Sequence, residues 1–448
     1  MTQIFVSSRL FGVMSLAAGI DSGVFGDDRR ILLTVDNADI PEIATPLAET
    51  AGFAAVRDRF HQVISYNELI WPHHPSHWRA HRNDQPLIRR LLNSYLELGD
   101  GPLELVLEAI QGDPSRGLAE LFENARLTVI SDGLASYSPT RHVLPKQISG
   151  RLERLVHLDL VPGLAPLVLS EHGVERSIID GKAFRAVMAE VTRSVPGLLT
   201  PLAAAEPAPP LLVGQYLASL DLLTSEEETD ISLRALTACA GAGYRTVAFK
   251  PHPMNASGMV PAMRAQAERL GLELQVLESS LPVEAWFEVD PPSLVVGCFS
   301  TSLSTADKIY GIPVATIGTE LVLERLTPYE NSNRMPVTIA DVTMPRLLDS
   351  GEVQAPLIAP ERYAEDLGPL VRAVGYCMQA AAYPHLREEA AAYLRDYDGD
   401  LLRHFKRKRI AALGLTAPGV RPSAQPREAS VPRRLARRAR SLLRARPS

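Results

Sequence analysis

Apolar and polar positions along the chain follow two alternating periods. Residues 4–7 (IFVS) form a short β-rich run, and residues 10–18 suit the helix that follows it. Residues 31–35 (ILLTV) are apolar almost throughout, as expected of a strand covered on both faces. Residues 127–130 (LTVI) are a second such run, leading straight into Ser131, Asp132 and Gly133; residues 167–169 are one more candidate strand. Strands alternating with helices predict a parallel α/β sheet. The pattern then breaks. Residues 196–210 read PGLLTPLAAAEPAPP, and five prolines in fifteen positions can continue neither a helix nor a central strand, so this stretch is the expected linker.

Beyond the linker the same alternation restarts. Residues 211–213 are a strand ending at Gly214 and Gln215. Ser225 with Glu228 predicts a capping box opening a helix to residue 240, which Gly241 and Gly243 can end. Residues 246–250 (TVAFK) run as a strand into Pro251, His252 and Pro253. Residues 272–277 alternate as a further strand. Residues 294–296 end in Gly297, Cys298, Phe299, Ser300, Thr301 and Ser302, followed by a helix over 302–309, a stop at Gly311, and a strand over 313–317. Residues 386–411 are largely helical in pattern and turn basic at 406–409 (KRKR). From Thr416 onward Pro, Ser and Arg dominate. The expected division is 1–200, 211–385, C-terminal helices over 386–415, and a basic tail over 416–448.

Composition changes this picture in three places. A length of 448 residues calls for two domains plus an appendage. The three cysteines, Cys239, Cys298 and Cys377, form no C-x-x-C pair, so neither zinc nor a disulfide framework is indicated and a reducing cytoplasm fits. The net charge of -6 hides an asymmetry: residues 421–448 hold nine arginines and one glutamate, a segment charge of +8, which leaves -14 on the rest. An acidic body excludes a nucleic-acid-binding core, and a basic tail implies an anionic partner of its own. Val431, Leu435 and Leu442 would share a helical face among the arginines, the pattern of a peripheral membrane-surface segment; the alternative is a solvated tail. The N-terminal apolar run is short and lacks a preceding basic cluster, so it reads as buried strand and helix rather than a signal peptide. No stretch of about twenty apolar residues is present, so no membrane-spanning helix is expected.

Three short motifs sit where strands end, the place where open parallel sheets bind ligands. Asp132 before Gly133 presents a carboxylate able to act as general base on an acceptor hydroxyl; it is equally the composition of an ordinary Asp-Gly turn. In Lys250, Pro251, His252 and Pro253 the prolines hold the imidazole in an extended backbone, where it can stabilise charge on a departing phosphate or simply make a loop hydrogen bond. Ser300, Thr301 and Ser302 combine hydroxyls with the free N–H groups of a helix start, an anion cradle or a plain N-cap. Together they place a base on one domain and a phosphate cradle on the other, the layout of an inverting transferase. Asp396, Asp398 and Asp400 lie far downstream and suit a solvated turn, so no metal is expected.

The order of acidic-Gly, His-Pro and Ser/Thr motifs over residues 1–390 resembles the bacterial sialyltransferases, especially the polysialyltransferases of glycosyltransferase family 38 and the related lipooligosaccharide sialyltransferases. The resemblance implies an α/β GT-B fold: two Rossmann-like domains facing across a cleft, with C-terminal helices and a basic tail. It implies transfer of sialic acid or a related nonulosonic acid from its CMP donor to a glycan or glycolipid acceptor, without metal or other cofactor. Asp132 would be the base and His252 the group assisting CMP departure. Gly214, Gln215, Lys250, Pro251, Pro253, Glu284, Ser300, Thr301 and Ser302 would line the CMP-sugar site, Glu284 towards the ribose hydroxyls. Gly133, Tyr137 and Arg141 would face the acceptor. One departure is plain: the family often has two acidic residues before the glycine, and the first is here Ser131. Kdo transferases and CDP-glycerol glycerophosphotransferases share the CMP leaving group, although GCFSTSLSTA lacks the acidic residues of the latter's serine motif. A non-catalytic capsule-assembly protein on the same scaffold is the alternative of a different class. The cluster Trp71, His73, His74, His77, Trp78 and His81 suits either an acceptor loop or a surface loop with aromatic anchors.

Overall fold

A strand buried along its whole length packs on both faces, and the first strand, β1 (Thr2–Ser7), does so: Phe5 packs into one core layer, Ile4 and Val6 into the other. The computed structural model of the chain describes residues 1–252, 258–396 and 403–417. After β1 come β2 (Arg29–Thr34), β3 (Gln62–Ser65), β4 (Leu103–Glu108), β5 (Arg126–Ser131), β6 (Leu152–Leu158) and β7 (Glu175–Ile179). They form one parallel sheet in the order β3-β2-β1-β4-β5-β6-β7. Ile4 lies level with Ile31 on one side and Leu105 on the other.

The second half repeats the plan. Strands β8 (Leu211–Val213), β9 (Thr246–Lys250), β10 (Glu273–Val276), β11 (Val295–Gly297), β12 (Val314–Thr316), β13 (Arg346–Leu347) and β14 (Val353–Gln354) order as β10-β9-β8-β11-β12-β13-β14. Among the described residues only the last pair, β13 with β14, is antiparallel. Each sheet therefore reverses its winding beside its first strand, between β1 and β4 and between β8 and β11. These are two Rossmann-like sheets in the GT-B arrangement, with crevices at the two reversal points.

Helix Gly181–Ser194 joins the halves. It packs on helix Leu10–Asp21 of the first and on helix Glu284–Val289 of the second, and Arg185 Nε donates to Glu288 at 3.0 Å. The proline-rich stretch runs beside the second sheet: Trp286 Nε1 donates to the Thr200 carbonyl and Gln275 Nε2 to that of Pro201. Helices Gly368–Met378 and Arg387–Arg395 follow, and Tyr383 reaches back to the first half. Its hydroxyl accepts from Thr140 N–H at 2.9 Å and donates towards Glu171 at 2.6 Å.

Three sequence expectations are corrected. Residues 167–169 form no strand: Leu169 takes a left-handed backbone, and the N–H groups of Val168 and Leu169 donate to Ser136 O and Thr140 Oγ1 instead of a sheet neighbour. The capping box lies one residue earlier, at Thr224 and Glu227. Glu228 is instead buried and accepts from the N–H groups of Leu217 and Ala218, tying the loop after β8 to the helix. The helix expected over 302–309 is α-helical only at Thr301–Thr305, continues as a π-helical segment Ala306–Tyr310, and ends at Gly311 with φ 68°. Pro253, the residues from 397 to 402 and the tail from residue 418 onward lie outside the described residues.

Candidate active site

Both reversal points open onto one cleft of about 600 Å³. From the first sheet it receives Arg9 after β1 and Ser131, Asp132 and Gly133 at the end of β5. From the second it receives Gly214, Gln215 and Tyr216 after β8, Lys250, Pro251 and His252 after β9, and Ser300, Thr301 and Ser302 after β11. Glu284 lines it as well.

On the first-sheet wall the Arg9 guanidinium meets both oxygens of Asp132, Nη2 lying 3.2 and 3.3 Å away. Behind them is Glu108, at the end of β4, which accepts from Ser7 Oγ at 2.7 Å and from Ser8 Oγ at 3.0 Å. Burial, then the nearby Asp132, pushes the Glu108 carboxyl above the usual carboxylate range, against the pull of Arg9 and the two serines. Neither Arg9 nor Glu108 belongs to a recognisable sequence motif; their only signal is that each closes a strand beside the reversal point.

On the opposite wall the imidazole of His252 stacks on Tyr216, ring centroids 4.1 Å apart. Burial and then the neighbouring Lys250 charge push His252 down to about 4, so its ring is neutral at physiological pH. Lys250 is spent locally: its buried ammonium donates to the Ser279 carbonyl at 2.6 Å and holds the loop bordering the cleft. Gln215 Oε1 accepts from the N–H groups of both Cys298 and Phe299 at 3.0 Å, fixing the turn that launches the serine helix. Ser300 Oγ accepts from Ser302 N–H as N-cap. Glu284 is buried and accepts from Thr305 Oγ1 at 2.9 Å, and burial raises its pKa. It anchors the serine helix from below.

The two walls touch. Thr301 Oγ1 accepts from Leu134 N–H at 3.4 Å, and a Cβ on Gly133 would lie 3.0 Å from that oxygen. A side chain at 133 would crowd Thr301 across the cleft, whereas the backbone φ of -139° suits any residue.

Two expected acceptor-side residues stand elsewhere. Tyr137 is fully buried, its hydroxyl accepting from Val161 N–H at 3.0 Å, because the turn after Gly133 is a 3-10 helix that points it inward. Arg141 is exposed and lies outside the cleft lining. The Trp71 to His81 stretch is also outside it. That loop is held by its own rings, with His73 stacked on Trp78 and His74 Nε2 on the Ala38 carbonyl at 2.9 Å. Among the described residues no group of three His, Cys, Asp or Glu gathers as a metal site would require. No helix among them is long and apolar enough to cross a membrane.

Residues 3–319 match the sequence profile of a family described as alpha-2,8-polysialyltransferase (POLYST). No curated protein sequence matches the chain. Among solved structures, MurG from Acinetobacter baumannii is 10% identical, with a TM-score of 0.39, covering 86% of this chain and 98% of its own. A UDP-glucosyltransferase from Polygonum tinctorium is 12% identical, with a TM-score of 0.38, covering 91% and 97%. The E. coli ADP-heptose lps heptosyltransferase II is 8% identical, with a TM-score of 0.34, covering 70% and 84%.

Proposed function

The chain belongs to the alpha-2,8-polysialyltransferase family, and from that membership and the composition of the cleft we propose that it transfers sialic acid, or a related nonulosonic acid, from a CMP donor to a cell-surface glycan, with inversion. The observation that carries this reading is the meeting of Asp132 with His252 and the serine helix across one cleft. The CMP phosphate sits against the helix N-terminus that begins at Thr301, where backbone N–H groups and the serine and threonine hydroxyls meet negative charge. His252 donates a hydrogen bond to a phosphate oxygen and stabilises the charge left when the glycosidic C–O bond breaks. Asp132 removes the proton of the acceptor hydroxyl, whose oxygen attacks the anomeric carbon from the face opposite the phosphate. One carboxylate and one displacement invert the anomeric centre. The helix N-terminus and His252 meet the leaving-group charge that a cation would otherwise neutralise, so the reaction needs no metal. The acceptor is a glycan or glycolipid at the cytoplasmic membrane face, approached through the basic tail.

The test is thermal unfolding with CMP, UDP and GDP, all with EDTA present. A ligand that binds only the folded state raises the melting temperature. CMP is expected to raise it most; an equal or larger rise with UDP would overturn the CMP donor and leave a glycosyltransferase of another nucleotide.

A further inference from the structure

We propose that Arg9 binds the carboxylate carried by the anomeric carbon of the donor sugar, and so selects CMP-activated keto-acid sugars over neutral ones. The inference rests on the donor class proposed above and adds the residue that recognises it.

Arg9 is placed by the fold, not by a motif. It follows β1 at the reversal point of the first sheet and lines the same cleft as the serine helix. Its side chain is 61% exposed although it pairs with Asp132, which is 15% exposed. Among the described residues, its side-chain hydrogen bonds run through Nη2 alone, both to Asp132. A guanidinium has five N–H donors in a planar fork, so the N–H groups of Nε and Nη1 remain to meet a carboxylate. As the residue before helix Leu10–Asp21, it makes no side-chain cap that would occupy it.

The distances of the reaction bring the two groups together. A base lies about 2.6–3.2 Å from the hydroxyl it deprotonates. That oxygen attacks from about 3–3.5 Å. In a keto-acid sugar the carboxylate carbon is bonded to the attacked carbon itself. A guanidinium on Asp132 is therefore within one side chain's reach of that carboxylate.

Charge makes the contact necessary. Asp132 and Glu108 line or back this wall, and a further carboxylate arriving beside them is repelled unless a cation stands between. Three cationic or ionisable basic side chains line the cleft among the described residues. Lys250 is buried at the end of β9 beside the Ser279 carbonyl, on the same wall as His252 and away from Asp132. Arg9 is left for the sugar, and Asp132, followed by Glu108, keeps it charged. A neutral sugar would gain nothing from this cation.

The experiment is a ligand–protein cycle. The probes are CMP, CMP-N-acetylneuraminic acid made hydrolysis-resistant by fluorine next to the anomeric carbon, and the methyl ester of that analogue. Each is titrated calorimetrically into wild-type protein, Arg9→Gln and Arg9→Lys. Wild type is expected to favour the acid over the ester by roughly ten- to a hundredfold, the range of a charge-assisted hydrogen-bonded pair. Arg9→Gln should bind acid and ester alike while holding CMP within about twofold of wild type, and Arg9→Lys should recover part of the preference. If Arg9→Gln keeps the wild-type preference, or weakens CMP as much as the acid, Arg9 does not read the carboxylate. If wild type binds none of the three probes, the donor class itself fails, a different result from binding without coupling.

Discussion

Asp132 leaves β5 with its carboxylate facing Arg9 and its backbone running into a glycine that Thr301 approaches closely. A base held this way should be separable from nucleotide binding. Asp132→Asn keeps shape but cannot accept the acceptor's proton. It is expected to bind CMP within about twofold of wild type and to lose turnover by about a hundredfold or more; calorimetry and an initial-rate assay check the two halves. His252 carries a pH signature. Its pKa lies near 4, below its ordinary 6.5, pushed down by burial and the Lys250 charge. A bound phosphate favours the charged imidazole and raises that pKa, so binding takes up a proton. Affinity gained this way therefore grows as pH falls through the raised, phosphate-bound pKa towards 4. CMP affinity measured from pH 8 to 5 should rise more steeply for wild type than for His252→Asn, whose remaining slope is the titration of the phosphate itself.

The serine helix is shaped by what lies beneath and beside it as much as by its own residues. Ser300 does cap it, as the plain reading of the motif held, so that oxygen is already engaged by Ser302 N–H. Its position is set by Gln215 above and Glu284 with Thr305 below. Gln215→Leu has nearly the same volume but leaves the buried N–H groups of Cys298 and Phe299 without that acceptor. Losing such partners costs about 2 kcal/mol or more. Urea unfolding should show that loss, and CMP affinity should fall with it because the turn presenting the helix N-terminus is released.

At the scale of the whole molecule, the C-terminal helices clasp the two halves. Tyr383 carries the hydroxyl that meets Thr140, Leu167 and Glu171 of the first half. Asp341, buried in the second half, holds His404 at 2.7 Å and Arg403, while Thr319 Oγ1 donates to it at 2.7 Å. Tyr383→Phe removes one buried hydroxyl without changing the ring. It should lower stability by about 1–3 kcal/mol and leave CMP affinity intact, read by chemical unfolding and by calorimetry. The tail over 421–448 belongs to this scale also. Its arginines each add on the order of 1 kcal/mol at an anionic surface. Full-length protein should co-sediment with phosphatidylserine vesicles at low salt, and a chain ending at residue 420 should not. Equal sedimentation of the two would remove the tail's membrane role.

Much of this was legible along the chain. The apolar runs of β1, β2, β5, β8, β9 and β11 marked the strands buried on both faces, and three of them ended in the motifs that line the cleft. Those features are local: hydrophobic run, turn residue and helix start are neighbours in sequence. The sequence pattern did not mark the edge strands β3, β7 and β14, which are part-exposed, nor β4 and β6, whose runs are broken by buried Glu104 and His157. In β4, Glu104 interrupts the run because it accepts from Gln3, Thr128 and Arg154 on three different strands, a pairing visible only once they stand side by side. Tyr137 followed the acidic motif in sequence but turned into the core, since a 3-10 turn rotates successive side chains by about a third of a circle. Arg9 and Tyr216 joined the cleft, and Glu108 came to stand behind it, only through the strand order, which sets the ends of β1, β4 and β8 beside Asp132 and His252. The sequence by itself determined the strands buried on both faces that end in the cleft motifs, and which residue types could do the chemistry. Which of them meet was decided by the tertiary structure, because charge pairing across about a hundred residues of chain depends on sheet order and register, to which no local pattern is sensitive.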